Sequence, residues 1–521
     1  MQRYNILWAD DEIDLLKPHI LFLTDKGYDI TPVASGADAI ESVENQQFDV
    51  VFLDENMPGM SGLETLKYIK SKRPSLPVVM ITKSEEESIM EEAIGSHIAD
   101  YLIKPLNPSQ ILLSVKKILD NKRLVTERTN IEYQQEFRNI SMAYNEYMDH
   151  NEWIEIHKKL VYWELEIDKT ENKSMAEILD MQKIEANSNF AQFVIDNYED
   201  WLNDPNIDRP LLSNNLLKTK VFPEVKDKPL FLIVIDNLRY DQWKTIESEL
   251  TDYFNILEEL AYYSILPTTT AYARNSIFSG QMPLEMSKKE SDLWVSDNDE
   301  DDEGKNNNEE EFLKRQIKRL RLNIRTSYNK IIHSSQGKQL NDQFNNLLQN
   351  DLNVVVYNFV DMLSHARTDM RMIRELAADE SAYRSLTKSW FLHSPLFDLL
   401  KMISDKGLKV MITTDHGTYR VKKAFKIAGD KTVNTNLRYK HGKNLGYKDS
   451  QAVYSVREPE RLHLPRPNVS TSYAFATEDL FFAYPNNYNH YVKYYKDTFQ
   501  HGGISMDEMI IPFISLNSKR A

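Results

Sequence analysis

The chain has 521 residues, a net charge of −16, 41% apolar and 11% aromatic residues, and no cysteine. That length asks for about three domains at ~100–200 residues each, and the apolar content supports packed cores rather than wholesale disorder. The missing cysteine excludes disulfides, thiolate nucleophiles and cysteine-ligated zinc, while the acidic balance argues against a generic duplex-DNA binder, which needs Lys/Arg clusters against phosphates.

Residues 4–120 alternate short apolar runs with helical patterns. Tyr4–Ala9, Asp49–Leu53, Val78–Ile81 and Tyr101–Ile103 read as strands, with a weaker fifth around Asp29–Val33. This predicts a doubly wound parallel sheet. The first ten residues do not read as a signal peptide, because a carboxylate pair follows the apolar stretch directly. No apolar run approaches the ~18 residues of a membrane span, so the expectation is a cytoplasmic protein without membrane insertion. Residues 121–215 carry almost no Gly or Pro until Pro205, and Ile154, Leu160, Val161 and Leu165 recur at helical spacing. They predict a helical linker, most simply a three-helix bundle, ended by the turns at Pro205 and Pro210. From Pro229 the α/β pattern returns, with strands at Leu230–Ile235, Val354–Val360 and Val410–Thr414, and an acid follows each directly. Glu285 to Glu311 holds twelve acids and three lysines and reads as a solvated loop. No helix-turn-helix pattern follows the first domain. The fold class is thus multidomain α/β, with boundaries at 1–120, 121–215 and 216–521.

In a parallel sheet, ligands bind beyond the carboxyl ends of the strands. The first predicted strand runs into Asp10-Asp11, the third into Asp54, the fourth into Thr82, and the fifth into Lys104-Pro105. All five chemical residues should meet at one edge. Three carboxylates there need neutralising, and a hard divalent cation such as Mg²⁺ suits them. Asp54 would attack a phosphoryl donor, Lys104 would pair with a phosphoryl oxygen, and Thr82 would move to the new phosphate. The segments WADDE, FLDENMPGMSG, VVMITKSE and DYLIKPL resemble CheY-like receivers over residues 4–120. The resemblance implies phosphorylation of Asp54 and magnesium held by Asp10, Asp11, Asp54 and the carbonyl of Asn56. It further implies switch roles for Thr82, Tyr101 and Lys104, a cis Lys104–Pro105 peptide, and dimerisation through the face around Tyr101.

The second half holds scattered metal-ligand types: Asp236, Thr270, Asp361, His365, Asp415, His416 and His501. Asp361 and His365 share a face if a helix starts there. Carboxylate and imidazole ligands suit zinc, whereas carboxylates alone would favour Mg²⁺ or Mn²⁺. Two metals can clamp the attacking and leaving oxygens of a phosphoryl transfer, and a threonine hydroxyl beside a metal becomes a nucleophile. The order Asp, Thr, Asp-x3-His, Asp-His-Gly and His-Gly-Gly resembles the alkaline phosphatase superfamily, above all its PglZ branch, over roughly residues 228–517. The resemblance implies two zinc ions, one on Asp361, His365 and His501, the other on Asp236, Thr270, Asp415 and His416. Thr270 is the implied nucleophile, with Thr268 and Thr269 as alternatives. The absent cysteine removes the usual sulfatase precursor, and threonine at the nucleophile position resembles the nucleotide phosphodiesterase branch more than the serine-using phosphomonoesterases.

A receiver, a helical linker and a PglZ-like domain together resemble the PorX-type response regulators of type IX secretion. That implies a sensor histidine kinase partner, a phosphorylation-promoted homodimer, an oligonucleotide substrate, and a sigma factor or secretion component as a further partner. The alternative output is a catalytically silent, metal-containing scaffold that signals by protein contact. The basic run Arg438, Lys440, His441 and Lys443, with Tyr439 for stacking, is a candidate substrate-phosphate loop. His150, His157, His333 and His463 read as ordinary surface or core residues, and the tyrosines of 484–495 as packing and surface.

Overall fold

The computed structural model describes residues 4–83, 98–144, 147–170, 172–295, 306–377, 379–429, 434, 436–448, 450 and 452–520. Part of the acid-rich run, 296–305, lies outside the described residues. The chain divides into two compact units, one of residues 1–135 and 166–173, the other of 136–165 and 174–521.

In the first unit, β1 (Asn5–Ala9), β2 (Asp29–Val33), β3 (Val50–Asp54), β4 (Val78–Thr82) and β5 (Asp100–Ile103) form one sheet in the order β2-β1-β3-β4-β5. Every pairing is parallel. Strands β1, β3 and β4 are apolar nearly throughout because both faces are covered. Leu7, Val51 and Met80 pack on one face, and Trp8, Phe52 and Ile81 on the other. Helices α1 (Lys17–Asp25), α2 (Gly36–Asn45) and α3 (Gly62–Lys72) connect them. Ser61 and Glu64 form a capping box that starts α3. The Lys104–Pro105 peptide is cis, as the receiver resemblance implied.

The segment expected to be helical contains α4 (Pro108–Ala143), α5 (His150–Thr170) and α6 (Lys173–Asn203). Within the second unit, Trp153 of α5 packs against Phe190 and Phe193 of α6. Gln182 of α6 donates to the Phe137 carbonyl of α4 at 2.9 Å.

The large sheet of the second unit uses β6 (Leu230–Ile235), β7 (Phe254–Tyr263), β8 (Thr326–Ile331), β9 (Leu352–Tyr357), β10 (Lys409–Thr413) and β11 (Ile510–Ser518), in the order β7-β11-β10-β6-β9-β8. Strands β10, β6, β9 and β8 run parallel, and β11 runs antiparallel to β10 and β7. Both faces are buried. Phe231, Ile233 and Ile235 enter one core, and Leu230, Leu232 and Val234 the other. Three carboxyl ends therefore open at one edge: β6 before Asp236, which leads into α7 (Tyr240–Glu247), β9 before Asn358, and β10 before Thr414. Strand β9 ends earlier than its apolar run suggests. Asn358 has φ −89° and ψ 7°, and α9 (Phe359–Asp369) begins after it. Asp361 thus lies on the first helical turn, because a short Val/Phe run reads alike in a strand and a buried helix.

Candidate active site and metal centres

The receiver edge gathers its residues as the strand ends require. Asp10 and Asp54 are buried, while Asp11 is exposed. The Lys104 ammonium lies 2.8 Å from Asp10 Oδ2 and 2.9 Å from Asp54 Oδ1. Burial raises the Asp54 pKa, the Lys104 hydrogen bond opposes that, and Asp10 and Asp11 add to it. Burial alone would lower the Lys104 pKa, but its two carboxylate partners outweigh it and raise the value. The Asn56 N–H donates to Asp54 Oδ2 at 3.2 Å, so the Asn56 backbone packs against that carboxylate. Thr82 is buried and its hydroxyl shares a hydrogen bond with the half-buried Tyr101. Glu12, which sequence reasoning passed over, joins Asp10 and Asp11 in a cluster able to hold a cation. Its only sequence signal is adjacency to the acid pair.

The second unit brings its seven candidates to the sheet edge in two groups. Asp361, His365 and His501 offer ligand atoms within 4.8 Å of one another, and so do Asp236, Asp415 and His416. His365 Nε2 is 3.4 Å and His501 Nε2 3.7 Å from the Asp361 carboxylate. Ligands ~2.0–2.1 Å from a tetrahedral zinc lie about 3.3 Å apart, so the first group is close to the required spacing. The His416 and His501 rings stack at 4.3 Å, which puts the two groups side by side.

The hydrogen bonds around the imidazoles bear on whether a metal fits. His416 Nδ1 faces the Gly417 carbonyl at 3.1 Å, and His501 Nδ1 faces the Thr268 carbonyl at 3.2 Å. A carbonyl only accepts, so each Nδ1 carries the proton and each Nε2 turns a lone pair to the site. Burial lowers the His416 pKa, and burial with His416 alongside pushes His501 to about 4, which keeps both rings neutral. Asp415 is fully buried with Oδ2 lacking a hydrogen-bond partner, and burial together with Asp236 pushes it up to about 8. A buried carboxylate oxygen without a donor, beside lone-pair-bearing imidazoles, is a cation's donor set.

Thr270 opens α8 (Thr270–Ser279), whose last turn closes on Gly280 at φ 65°. Its hydroxyl lies 3.3 Å from Asp236 Oδ1 and 3.1 Å from His416 Nε2. Thr268 instead bonds the Gly503 carbonyl and the Gly502 N–H, and Thr269 stands at the N-cap position with its buried hydroxyl making no capping hydrogen bond.

Two contributors were invisible to sequence reasoning. Asn237 adopts φ 65°, and its side-chain amide reaches Asp361 at 3.2 Å while its N–H reaches Asp415 at 3.3 Å. Arg274, one turn beyond Thr270 and fully buried, places Nη1 2.8 Å from Asp236 Oδ2 and 3.8 Å from Asp415 Oδ2. Its Nε pairs with buried Glu309 at 2.5 Å, which also accepts from Tyr328. Burial would raise the Asp236 pKa, but Arg274 and His416 outweigh it and hold the carboxyl low. The spacing of Arg274 from Thr270 was legible; its burial among acids was not, because α8 is covered on nearly every side.

The basic run corrects an expectation. Arg438, Lys440 and His441 are buried, and the run from Tyr439 to Lys443 is a strand in a small sheet, not a solvated loop. Arg438 forms a two-point pair with Glu508, at 3.2 and 2.7 Å, and also donates to the Leu480 carbonyl. Lys440 donates to the Asn434 carbonyl and covers the Tyr484 ring. These cations are already committed inside the protein. Lys443, half-buried at the strand's end, is the exception.

A family model described as the BREX system PglZ alkaline phosphatase-like domain matches residues 216–516. The chain belongs to the PglZ family. A response regulator receiver domain matches 6–116, and the PorX response regulator linker domain matches 123–202. The PglZ domain thus follows a receiver and a linker in the PorX-type architecture. Among curated relatives, the transcriptional regulatory protein ZraR of Klebsiella oxytoca is 36% identical over 123 residues, 24% of this chain and 28% of that protein. The probable transcriptional regulatory protein TcrX of Mycobacterium tuberculosis is 32% identical over 127 residues, 24% of this chain and 53% of that one. The chain therefore spans only about a quarter to a half of these relatives' lengths. A CheY-like receiver structure from Methanospirillum hungatei is 26% identical and covers 23% of this chain and 96% of its own, with a TM-score of 0.23. Among the described residues, no helix is long and apolar enough to cross a membrane.

Proposed function

We propose that this chain is a cytoplasmic response regulator phosphorylated on Asp54, whose output is a zinc-dependent phosphodiesterase acting on oligonucleotides. The observation that carries the enzymatic reading is the Thr270 hydroxyl, 3.3 Å from Asp236 and 3.1 Å from His416, at an edge where two three-ligand groups lie side by side. Asp361, His365 and His501 would hold one zinc, and Asp236, Thr270, Asp415 and His416 the other. Zinc there would supply Lewis acidity, lowering the hydroxyl pKa and balancing the charge of a diester. Thr270 Oγ attacks phosphorus and its proton goes to the expelled alkoxide, leaving the threonine esterified to the phosphate of the remaining nucleotide; water then cleaves the threonine–phosphate bond, releasing a phosphomonoester and restoring the hydroxyl. Arg274 and Asn237 hold the carboxylates in place during both steps. The oligonucleotide substrate and a role in type IX secretion rest on the PorX-type architecture. So does a sigma factor or secretion component as partner, while the division at residues 120 and 215 rests on the change of sequence pattern there.

In the receiver, a sensor histidine kinase would donate the phosphoryl group to Asp54. Magnesium would be held by Asp10, Asp11, Asp54 and the Asn56 carbonyl. Lys104, now shared between Asp10 and Asp54, would pair with a phosphoryl oxygen. Thr82 would exchange its Tyr101 partner for the phosphate, which frees the tyrosine to reorient. That change would promote the homodimer, with two receivers meeting around Tyr101.

One observation favours a second reading, in which the output is a protein contact. Arg274 already supplies a buried positive charge to Asp236 and Asp415, so part of the acidic edge is neutralised without metal. The deciding experiment is zinc content, with turnover of bis(4-nitrophenyl) phosphate by wild type and Thr270→Ala. Zinc present with loss of turnover in the variant supports the enzyme. No zinc, or equal turnover, leaves the scaffold.

A further inference from the structure

Behind the ligand loops, six charged side chains from the linker helices and the catalytic domain are packed together, none used by the chemistry above. Glu164 of α5 takes Lys183 of α6 at 2.5 Å on one oxygen and Arg384 at 2.7 Å on the other. Arg384 also reaches Asp241 at 2.9 Å. Asp241 pairs with Arg239 at 2.6 Å, and Arg239 reaches Glu380 at 2.7 Å. Glu164, Asp241 and Glu380 stand close enough to hold a metal, but guanidinium and ammonium donors already hydrogen-bond Glu164 and Asp241 and a guanidinium pairs with Glu380. Lys183 and Arg384 hold Glu164 down to about 2, against its burial. The acid is therefore ionised, and removing one partner would leave an uncompensated buried charge.

The cluster leads to the metal ligands by two routes. Arg239 lies three residues after Asp236, and its guanidinium sits 5.2 Å over the ring of Phe499, two residues before His501. Gly417, which follows His416, has no room for a side chain. A Cβ there would meet the Asp507 carbonyl at 2.0 Å and Arg239 Cγ at 3.2 Å, so the His416 loop rests directly on both residues. The second route starts at Asn187 of α6, whose side-chain carbonyl accepts the Met506 N–H at 2.7 Å. Met506 opens the short helix Met506–Met509. There the Glu508 carbonyl accepts the Gly417 N–H at 3.2 Å, and the Glu508 carboxylate accepts the Gly503 N–H at 2.8 Å. Both ligand loops thus hang on residues held from the linker.

We propose that the linker helices are a positioning part of the metal site: Glu164, Lys183 and Asn187 hold the loops that carry His416 and His501. The inference rests on the zinc reading above and adds that the linker sets how tightly the site keeps its metal. Groups that orient ligands from behind typically change metal affinity by ~10–100-fold when removed, and these residues act one shell further out. A buried ion pair that served only packing would change melting temperature and leave the metal alone.

The test uses the full-length, zinc-loaded protein and the rate at which zinc passes to the chelator 4-(2-pyridylazo)resorcinol, well below the melting temperature. Lys183→Met is expected to release zinc about tenfold faster than wild type with an unchanged circular dichroism spectrum. Glu164→Gln/Lys183→Met is expected to recover most of that loss, because no unpaired buried acid remains. Asn187→Ala removes two hydrogen bonds, one from the Met506 N–H and one to the Lys183 carbonyl, and no charge, and is expected to act in the same direction. It carries the test alone if Lys183→Met does not fold. On the nitrophenyl diester, kcat should fall while KM changes little. Folded variants that release zinc at the wild-type rate would overturn the inference and leave the zinc site standing. A wild type that holds no zinc would overturn both.

Discussion

Replacing Arg438 with methionine separates a substrate contact from a structural one. The Arg438 guanidinium and the Glu508 carboxylate are both fully buried and meet at two points, 3.2 and 2.7 Å. The same guanidinium serves the Thr477 and Leu480 carbonyls. Methionine keeps much of the volume but strands Glu508 in the interior. Breaking one side of a buried pair costs ~3–5 kcal/mol. The second unit spans residues 136–165 and 174–521; at ~2.1 cal/mol/K of unfolding entropy per residue, each kcal/mol moves its midpoint by about 1–1.5 °C, so it should melt about 5 °C lower. The assay is a thermal melt of the full chain beside Michaelis kinetics on a diester at 20 °C. The expected result is a lower midpoint with KM close to wild type in the surviving folded fraction. An unchanged midpoint with KM raised tenfold would refute the argument, because it would mean the guanidinium faces substrate.

Other outcomes follow from the same geometry. Thr270→Ala should retain both zinc ions by metal analysis and lose turnover on the order of a thousandfold or more, whereas Asp361→Ala should lose metal as well. Acetyl phosphate with Mg²⁺ should add one phosphoryl group to wild type and none to Asp54→Ala by intact mass; equal uptake would remove Asp54 from its role. His157 is buried, and burial pushes its pKa to about 3. The folded ring stays neutral below pH 6.5 while the unfolded ring takes a proton, so its share of stability is complete above pH 6.5 and falls as pH drops toward 3. The loss is at most about 1.4 kcal/mol per pH unit. His157→Phe should flatten the difference between urea melts at pH 5 and pH 7, and an unaltered slope would show that another group titrates.

What could be read from residues alone was whatever each segment declares locally. Asp10, Asp54, Thr82 and Lys104 each sit at or just after the end of an apolar run, and parallel strands deliver their carboxyl ends to one edge whatever the rest of the chain does. The same logic placed Asp236, Asp361 and Asp415 together, and the four-residue spacing of His365 from Asp361 needed only a helix to put them on one face. Tertiary structure decided the partners. The run from Arg438 to Lys443 has the composition of a phosphate-binding loop, but the acid that claims Arg438 lies 70 residues away in sequence, and no local pattern announces such a pairing. Arg274 looks like any helical arginine until Asp236, Asp415 and Glu309 close around it. Glu164 and Lys183 look like the charged faces of solvated helices until Arg384, 220 residues from Glu164, comes to meet them. Periodicity reports which face of an element is covered. It cannot report by what, because a buried charge is stable only through a partner that the fold alone supplies.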